Sequence, residues 1–303
     1  MFKFFILILY IYKLFLINGI HYGKSISRSL QDSTVLLIIT KNNNEVGYCG
    51  GNLLSNKLII TAAHCVTMIN NNKQINIVKN FQNILFLKNK QTNKENVNVL
   101  WIEIHPLYQK YPSSSSYDVA LIGVDNIVNC CLNSLESPSI AILPFNLINV
   151  IKNININFNY CFIIGYGKNE NGFLMRQSKG IIYRRSLLFK YINNITFIGY
   201  YDNLSNEKEK FDQGDSGNGL YCEINNKIYL IGIASSCYYK NRVQKIIDIN
   251  TFTIIFSKSI KIFIINVIEK KFLMNNINKL KKLCLQNNNS MLEVYNNLLK
   301  EIN

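Results

Sequence analysis

Ser216 stands in the tetrapeptide Gly214-Asp215-Ser216-Gly217, and His64 stands in Thr61-Ala62-Ala63-His64-Cys65. Asp118 heads the apolar run Asp118-Val119-Ala120-Leu121-Ile122. A serine hydroxyl is almost never ionised near neutral pH, so it attacks a carbonyl only when an imidazole takes its proton. The imidazole in turn needs a carboxylate to fix its tautomer. These residue types therefore point to acyl transfer through a covalent serine intermediate. They occur in the order His, Asp, Ser, 54 and 98 residues apart (64 to 118, 118 to 216), so only folding can join them. Taken singly each is weak: a Gly-Asp-Ser-Gly tetrapeptide arises by chance, and a lone histidine is more often a packing or surface residue. Of the three histidines, His21 and His105 lack a comparable setting, and His105, before Pro106, reads as structural. Asp118 alone would be a turn residue before a buried strand.

Residues so far apart need a framework. The chain reads as short apolar runs separated by polar turns, at 35–39, 57–62, 84–87, 119–124, 160–164 and 227–234. Runs of four to eight residues rich in Ile, Val, Leu and Phe, bounded by Gly, Asn and Ser, favour strands over helices. Many such strands in one chain predict a barrel or sandwich. At 303 residues, 48% of them hydrophobic, the chain can build one large all-β domain or two smaller ones. Residues 250–271 read as a strand leading into a helix. Beyond 273, Leu280, Leu283, Leu292, Val294, Leu298 and Leu299 recur at roughly helical spacing. That tail is a helix packed on the body or a frayed extension, with a partner-binding helix as the other reading. No internal repeat is visible.

The net charge is +15 (33 minus 18). A basic surface suits acidic polysaccharide, membrane or nucleic acid, but the simpler and favoured reading is a dispersed lysine surface. No helix-turn-helix, zinc-finger or RNA-binding signature accompanies it, so nucleic acid is not expected as a partner. Lys3 followed by apolar residues 4–12 and 14–17 forms a signal-peptide pattern interrupted by Lys13. A Lys at the centre of a span costs about 2.5–3.5 kcal/mol on insertion scales, which favours cleavage over an anchor. Residues 1–19 are thus expected to be removed, leaving a secreted protein with no stable membrane span. Eight cysteines suit an oxidising compartment. Asn194, Asn203 and Asn288 are glycosylation acceptors by pattern, though such triplets are common in an Asn-rich chain.

Several landmarks occur in one order. Cys49-Gly50-Gly51 precedes His64-Cys65, His105-Pro106-Leu107-Tyr108 precedes Asp118, Cys161 opens a segment ending Gly165-Tyr166-Gly167, and Gly232-Ile233-Ala234-Ser235 follows Ser216. In these, from about residue 20 to about 265, the chain resembles the chymotrypsin/trypsin family of serine endopeptidases (peptidase S1). The resemblance implies an all-β fold of two six-stranded antiparallel β-barrels joined near 133–144, with a C-terminal helix and a helical tail. The protease domain would span 20–270 and a C-terminal extension 271–303. Ser216 would be the nucleophile, His64 the base and Asp118 its orienting acid, in the cleft between barrels. The amides of Gly214 and Ser216 would form the oxyanion hole. Disulfides Cys49–Cys65 and Cys161–Cys222 are implied, leaving Cys130, Cys131, Cys237 and Cys284 unassigned. In the family the acid at Asp215 pairs with an α-amino group made by proteolysis. Its usual Ile-Val-Gly-Gly is absent; Ile20-His21-Tyr22-Gly23 is closest in spacing, and Leu16-Ile17-Asn18-Gly19 is a second option. If Ile20 serves, signal cleavage after Gly19 exposes the amine with no separate propeptide. The implied chemistry needs no metal or organic cofactor. The implied partners are a polypeptide substrate and protein inhibitors, with the protein a monomer.

The substrate pocket departs most from the family. Lys210 stands where trypsin-like members carry Asp, Asp212 replaces a cysteine, and Ser236-Cys237 follow Ser235. With Lys210, Ser235 and Cys237 as pocket residues, a lysine floor disfavours basic side chains and suits acidic or small ones. The other reading has Lys210 facing solvent. Asn218-Gly219 replaces the usual Gly-Pro after the nucleophile turn, placing a side chain where it could crowd that turn. Two further readings stand beside the enzyme: an inactive homologue acting as a binding or regulatory module, and a basic protein binding acidic glycans.

Overall fold

The computed structural model describes residues 24–25, 33–40, 46–69, 75–77, 81–85, 98–111, 115–125, 141–145, 161–165, 180–184, 188–192, 196–200, 214–224, 227–242 and 245–273. The signal segment, Cys130, Cys131, Lys210, Asp212, Cys284 and the tail beyond 273 lie outside them. The first half carries β1 (Lys24–Ser25), β2 (Thr34–Thr40), β3 (Val46–Ser55), β4 (Leu58–Thr61), β5 (Thr67–Ile69), β6 (Ile75–Ile77), β7 (Phe81–Leu85), β8 (Val99–Ile104) and β9 (Ala120–Val124). The second half carries β10 (Cys161–Gly165), β11 (Gly180–Arg184), β12 (Leu188–Ile192), β13 (Thr196–Tyr200), β14 (Gly219–Ile224), β15 (Lys227–Arg242) and β16 (Lys245–Ile254).

The fold is all-β, with antiparallel sheets. One sheet has six strands in the order β7-β2-β3-β4-β9-β8, and β5 and β6 form a separate pair. The other has eight, in the order β1-β11-β10-β14-β15-β16-β13-β12. Six strands were expected there; the two-residue β1 at one edge and β12 at the other lie beyond a central six.

Register explains how the first sheet gathers residues 54 apart. Antiparallel pairing sets Thr61 opposite Ala120 and Ile60 opposite Leu121. β4 therefore ends three residues before His64, beside the point where β9 begins two residues after Asp118. Every residue of β4 and β9 is buried. Such continuous apolar runs, rather than alternating ones, suit strands covered on both faces. In the second sheet Cys161 lies directly opposite Cys222 and Gly219 opposite Ile233. The Ser216 turn thus feeds β14 next to the strand that carries Ser235.

Residues 141–145 touch both sheets. Ala141 N–H donates to the Leu53 carbonyl (2.7 Å), and Leu230 N–H donates to the Ile142 carbonyl (2.8 Å). The helix Lys258–Ile268 starts at Ser257, whose hydroxyl accepts from Ile260 N–H (3.4 Å), an N-cap that satisfies one terminal donor. Ile260, Phe263, Ile264, Val267 and Ile268 are its buried face, the i, i+3, i+4, i+7, i+8 spacing of a packed helix. Its Ser259 hydroxyl lies 3.0 Å from Nε2 of His105, and Phe263 packs edge-on to that ring. At the other end of the chain, Lys24 and Ser25 pair with Ile181 and Gly180 of β11.

Candidate active site

Asp118 is 3% exposed. A buried carboxylate costs several kcal/mol unless hydrogen bonds replace its water, and here three do. His64 donates through its backbone N–H to Oδ1 (2.8 Å) and through Nδ1–H to Oδ2 (2.6 Å), while Ser235 Oγ–H donates to Oδ2 (2.6 Å). A carboxylate only accepts, so Nδ1 carries the proton and Nε2 of the neutral ring keeps its lone pair. Thr253 Oγ1–H also donates to the Asp118 carbonyl (3.1 Å), fixing the backbone from the second sheet. The His64 side chain is 36% exposed, so its far edge reaches solvent while its near edge is held.

His64 sits in a 3₁₀ turn, Ala63–Cys65, which the Cys49–Cys65 disulfide fastens to β3. Cys49, His64 and Cys65 place ligand-type atoms within 4.8 Å of one another. The two sulfurs are bonded to each other, however, and offer no thiolate to a metal.

The Ser216 turn is tied to both partners' elements. Gly50 N–H donates to the Ser216 carbonyl (2.7 Å), one residue from the Cys49 that holds the His64 turn. Gly217 N–H donates to the Ala234 carbonyl (2.8 Å), one residue from the Ser235 that holds Asp118. Gly214 and Gly217 both have positive φ, 98° and 83°, where a side chain would be strained. Asn52 Nδ2–H donates to the Gly217 carbonyl (3.0 Å), and its Oδ1 accepts from the Tyr221 hydroxyl (2.8 Å), which also bonds the Ser33 hydroxyl. The turn is thus held from behind by a buried polar chain across the two sheets.

A family model described as Trypsin matches residues 22–260. The chain belongs to the trypsin family. Among curated proteins it is 26% identical over 221 residues to human (Homo sapiens) chymotrypsin-like elastase family member 1, covering 70% of this chain and 79% of that protein. It is 28% identical over 204 residues to coagulation factor IX of Cavia porcellus, covering 64% and 65%. It is also 28% identical over 219 residues to the urokinase-type plasminogen activator of Gallus gallus, covering 64% of this chain and 46% of that one. Both disulfides implied by the trypsin-family resemblance, Cys49–Cys65 and Cys161–Cys222, are present.

The pocket residues are less fully placed. Ser235 is buried and its hydroxyl bonds Asp118, so it serves the acid as well as flanking the site. Cys237 lies in β15 opposite Asn250. Lys210 and Ile20 are outside the described residues. Sequence reasoning missed Asn52, Tyr221 and the buried role of Asn218. It named Tyr108 only as part of a landmark and gave it no role: the residue is 4% exposed, and its hydroxyl is pushed up to about 12 mainly by burial, then by the nearby Asp118 charge, against a hydrogen bond with Thr67. The pattern His105-Pro106-Leu107-Tyr108 was its visible signal. His105 caps the short helix Pro106–Lys110: its Nδ1 accepts from Leu107 N–H (3.2 Å).

Proposed function

We propose that this trypsin-family protein is a secreted serine endopeptidase that hydrolyses peptide bonds through an acyl-enzyme on Ser216. The observation that carries the reading is the 2.6 Å bond from His64 Nδ1 to Asp118 Oδ2, with the Ser216 turn tied to the neighbours of both. His64 Nε2 takes the Ser216 proton as the oxygen attacks the scissile carbonyl, and returns it to the leaving amine. Asp118 holds the imidazole's tautomer and stabilises the imidazolium. The amides of Gly214 and Ser216 receive the developing oxyanion. Water then repeats the sequence on the acyl-enzyme. No metal or organic cofactor is required for these steps.

Residues 1–19 act as the signal, 20–270 as the protease domain and 271–303 as an extension. The mature chain starts at Ile20, whose amine pairs with Asp215. Lys210 directs cleavage to follow acidic or small residues; a peptide library cut mainly after Arg or Lys would reject that preference. N-terminal sequencing that finds a start beyond Arg28 would reject Ile20 as the activating terminus. The deciding experiment for the reaction is labelling of the purified secreted protein by a fluorophosphonate probe. Wild type is expected to label and Ser216→Ala is not. Absence of labelling in both would leave a binding module on the same fold.

A further inference from the structure

Asn218 is fully buried, three residues from Asp215 and two from Ser216. Its side chain fits only because two neighbours lack one: a Cβ on Gly50 would lie 1.8 Å from Asn218 Oδ1, and a Cβ on Gly165 would lie 2.5 Å from Nδ2. The same Gly165 Cβ would lie 2.2 Å from Asp215 Oδ1. The side chain therefore occupies a slot between Gly50 of β3 and Gly165 of β10. There Nδ2–H donates to Asp215 Oδ1 (3.3 Å), while the Asn218 backbone N–H donates to the Asp215 carbonyl (3.1 Å). The amide has one allowed sense, since a flip would aim Oδ1 at a carboxylate that only accepts. Oδ1 itself has no hydrogen-bond donor. A buried acceptor left unpartnered is costly and rare in native proteins, which marks the grip on Asp215 as what it is retained for.

We propose that Asn218 is a positioning residue: it clamps Asp215 from side chain and backbone at once, and so sets the Asp215–Ser216 peptide whose N–H faces the oxyanion. This inference rests on Ser216 being the nucleophile. Gly50 and Gly165, which face the pair from β3 and β10, carry no titratable group, and the Ile20 amine proposed to pair with Asp215 is common to wild type and both variants, so a deficit taken relative to wild type reports the second carboxylate at 218.

Asn218→Gly and Asn218→Asp are compared with wild type in the full secreted chain, by fluorophosphonate acylation rate and thermal melting between pH 5 and 8. Asn218→Gly is expected to melt below wild type, because it empties a buried slot, and, assayed well below its own melting temperature, to acylate at least tenfold more slowly at every pH. Asn218→Asp places two carboxylates side by side, which cannot both ionise cheaply. Its acylation and melting deficits, each taken relative to wild type, are expected to be largest at pH 8. Both should shrink toward pH 5, where a shared proton restores a donor. A variant that merely lost packing would show no such pH profile. Asn218→Gly acylating at the wild-type rate, or Asn218→Asp tracking wild type at every pH, overturns the clamp alone. A wild type that never labels overturns the endopeptidase reading, and the clamp's catalytic role with it.

Discussion

The acid–base side and the nucleophile side of the site are held by different means. His64 and Asp118 issue from adjacent paired strands of one sheet, and each polar atom of the Asp118 side chain has a donor within 2.8 Å. The Ser216 turn belongs to the second sheet, bonded to Ala234 within it and to Gly50 and Asn52 across from the first, and includes an acceptor with no donor. Strand register brings the acid–base pair together, and Ser235 and Thr253 of the second sheet then bond Asp118. A turn set by inter-sheet contacts responds to how the two sheets sit.

The sharpest test of the first region is Asp118→Asn. It keeps the shape but lets the imidazole adopt the wrong tautomer, and kcat is expected to fall about 10⁴-fold, the loss the family template gives for the same change. Removing the disulfides tests the contrast itself. Loss of Cys161–Cys222, 61 residues apart, is expected to lower stability by about 4 kcal/mol, and loss of Cys49–Cys65, 16 apart, by about 3. Activity measured well below both melting temperatures should fall more in the second variant, because that bond fastens the His64 turn. Ser235→Ala removes one of the three bonds to Asp118. Charge-assisted bonds are worth about 1.5–3 kcal/mol, so kcat should drop about 10- to 100-fold with KM little changed.

A smaller effect tests the buried support behind Asp118. Burial pushes the His105 imidazole below its ordinary value of 6.5, against the hydrogen bond with Ser259. The unfolded chain then binds a proton the folded one refuses, so stability is intact above pH 6.5 and declines as pH falls below it. The slope is at most about 1.4 kcal/mol per pH unit. His105→Gln should flatten that part of the melting curve against pH. The smallest change expected is Lys271→Ala: its 2.8 Å ion pair with Glu103 is partly exposed, and such pairs contribute about 0–1 kcal/mol.

The same contrast separates what is legible in the amino-acid sequence from what is not. His64, Asp118 and Ser216 announce themselves through local motifs, because a nucleophile turn and a histidine loop each demand particular neighbours. The strands β2, β4, β9 and β10 are legible as apolar runs: apart from the threonines that end β2 and β4, they carry no polar residue. The apolar pattern of β15 stops at 234, yet the strand extends to Arg242 through polar residues. Asn52, Asn218 and Tyr221 are not legible. In a chain full of asparagine, a buried Asn looks like a turn residue until its partners, 165 and 169 residues away for Asn52, are known. The expectation that Asn218 crowds the turn does not count the room left by Gly50 and Gly165.

Each end of the described chain is docked on the opposite half. Lys24–Ser25 joins the sheet built from later residues, while the helix near 260 closes on His105, which belongs to the earlier one. The two lobes are therefore mutually clasped. Neither can peel away without surrendering a neighbour's terminus, so heat should dissolve the fold in one concerted step, and a half expressed by itself would lack the piece that seals it.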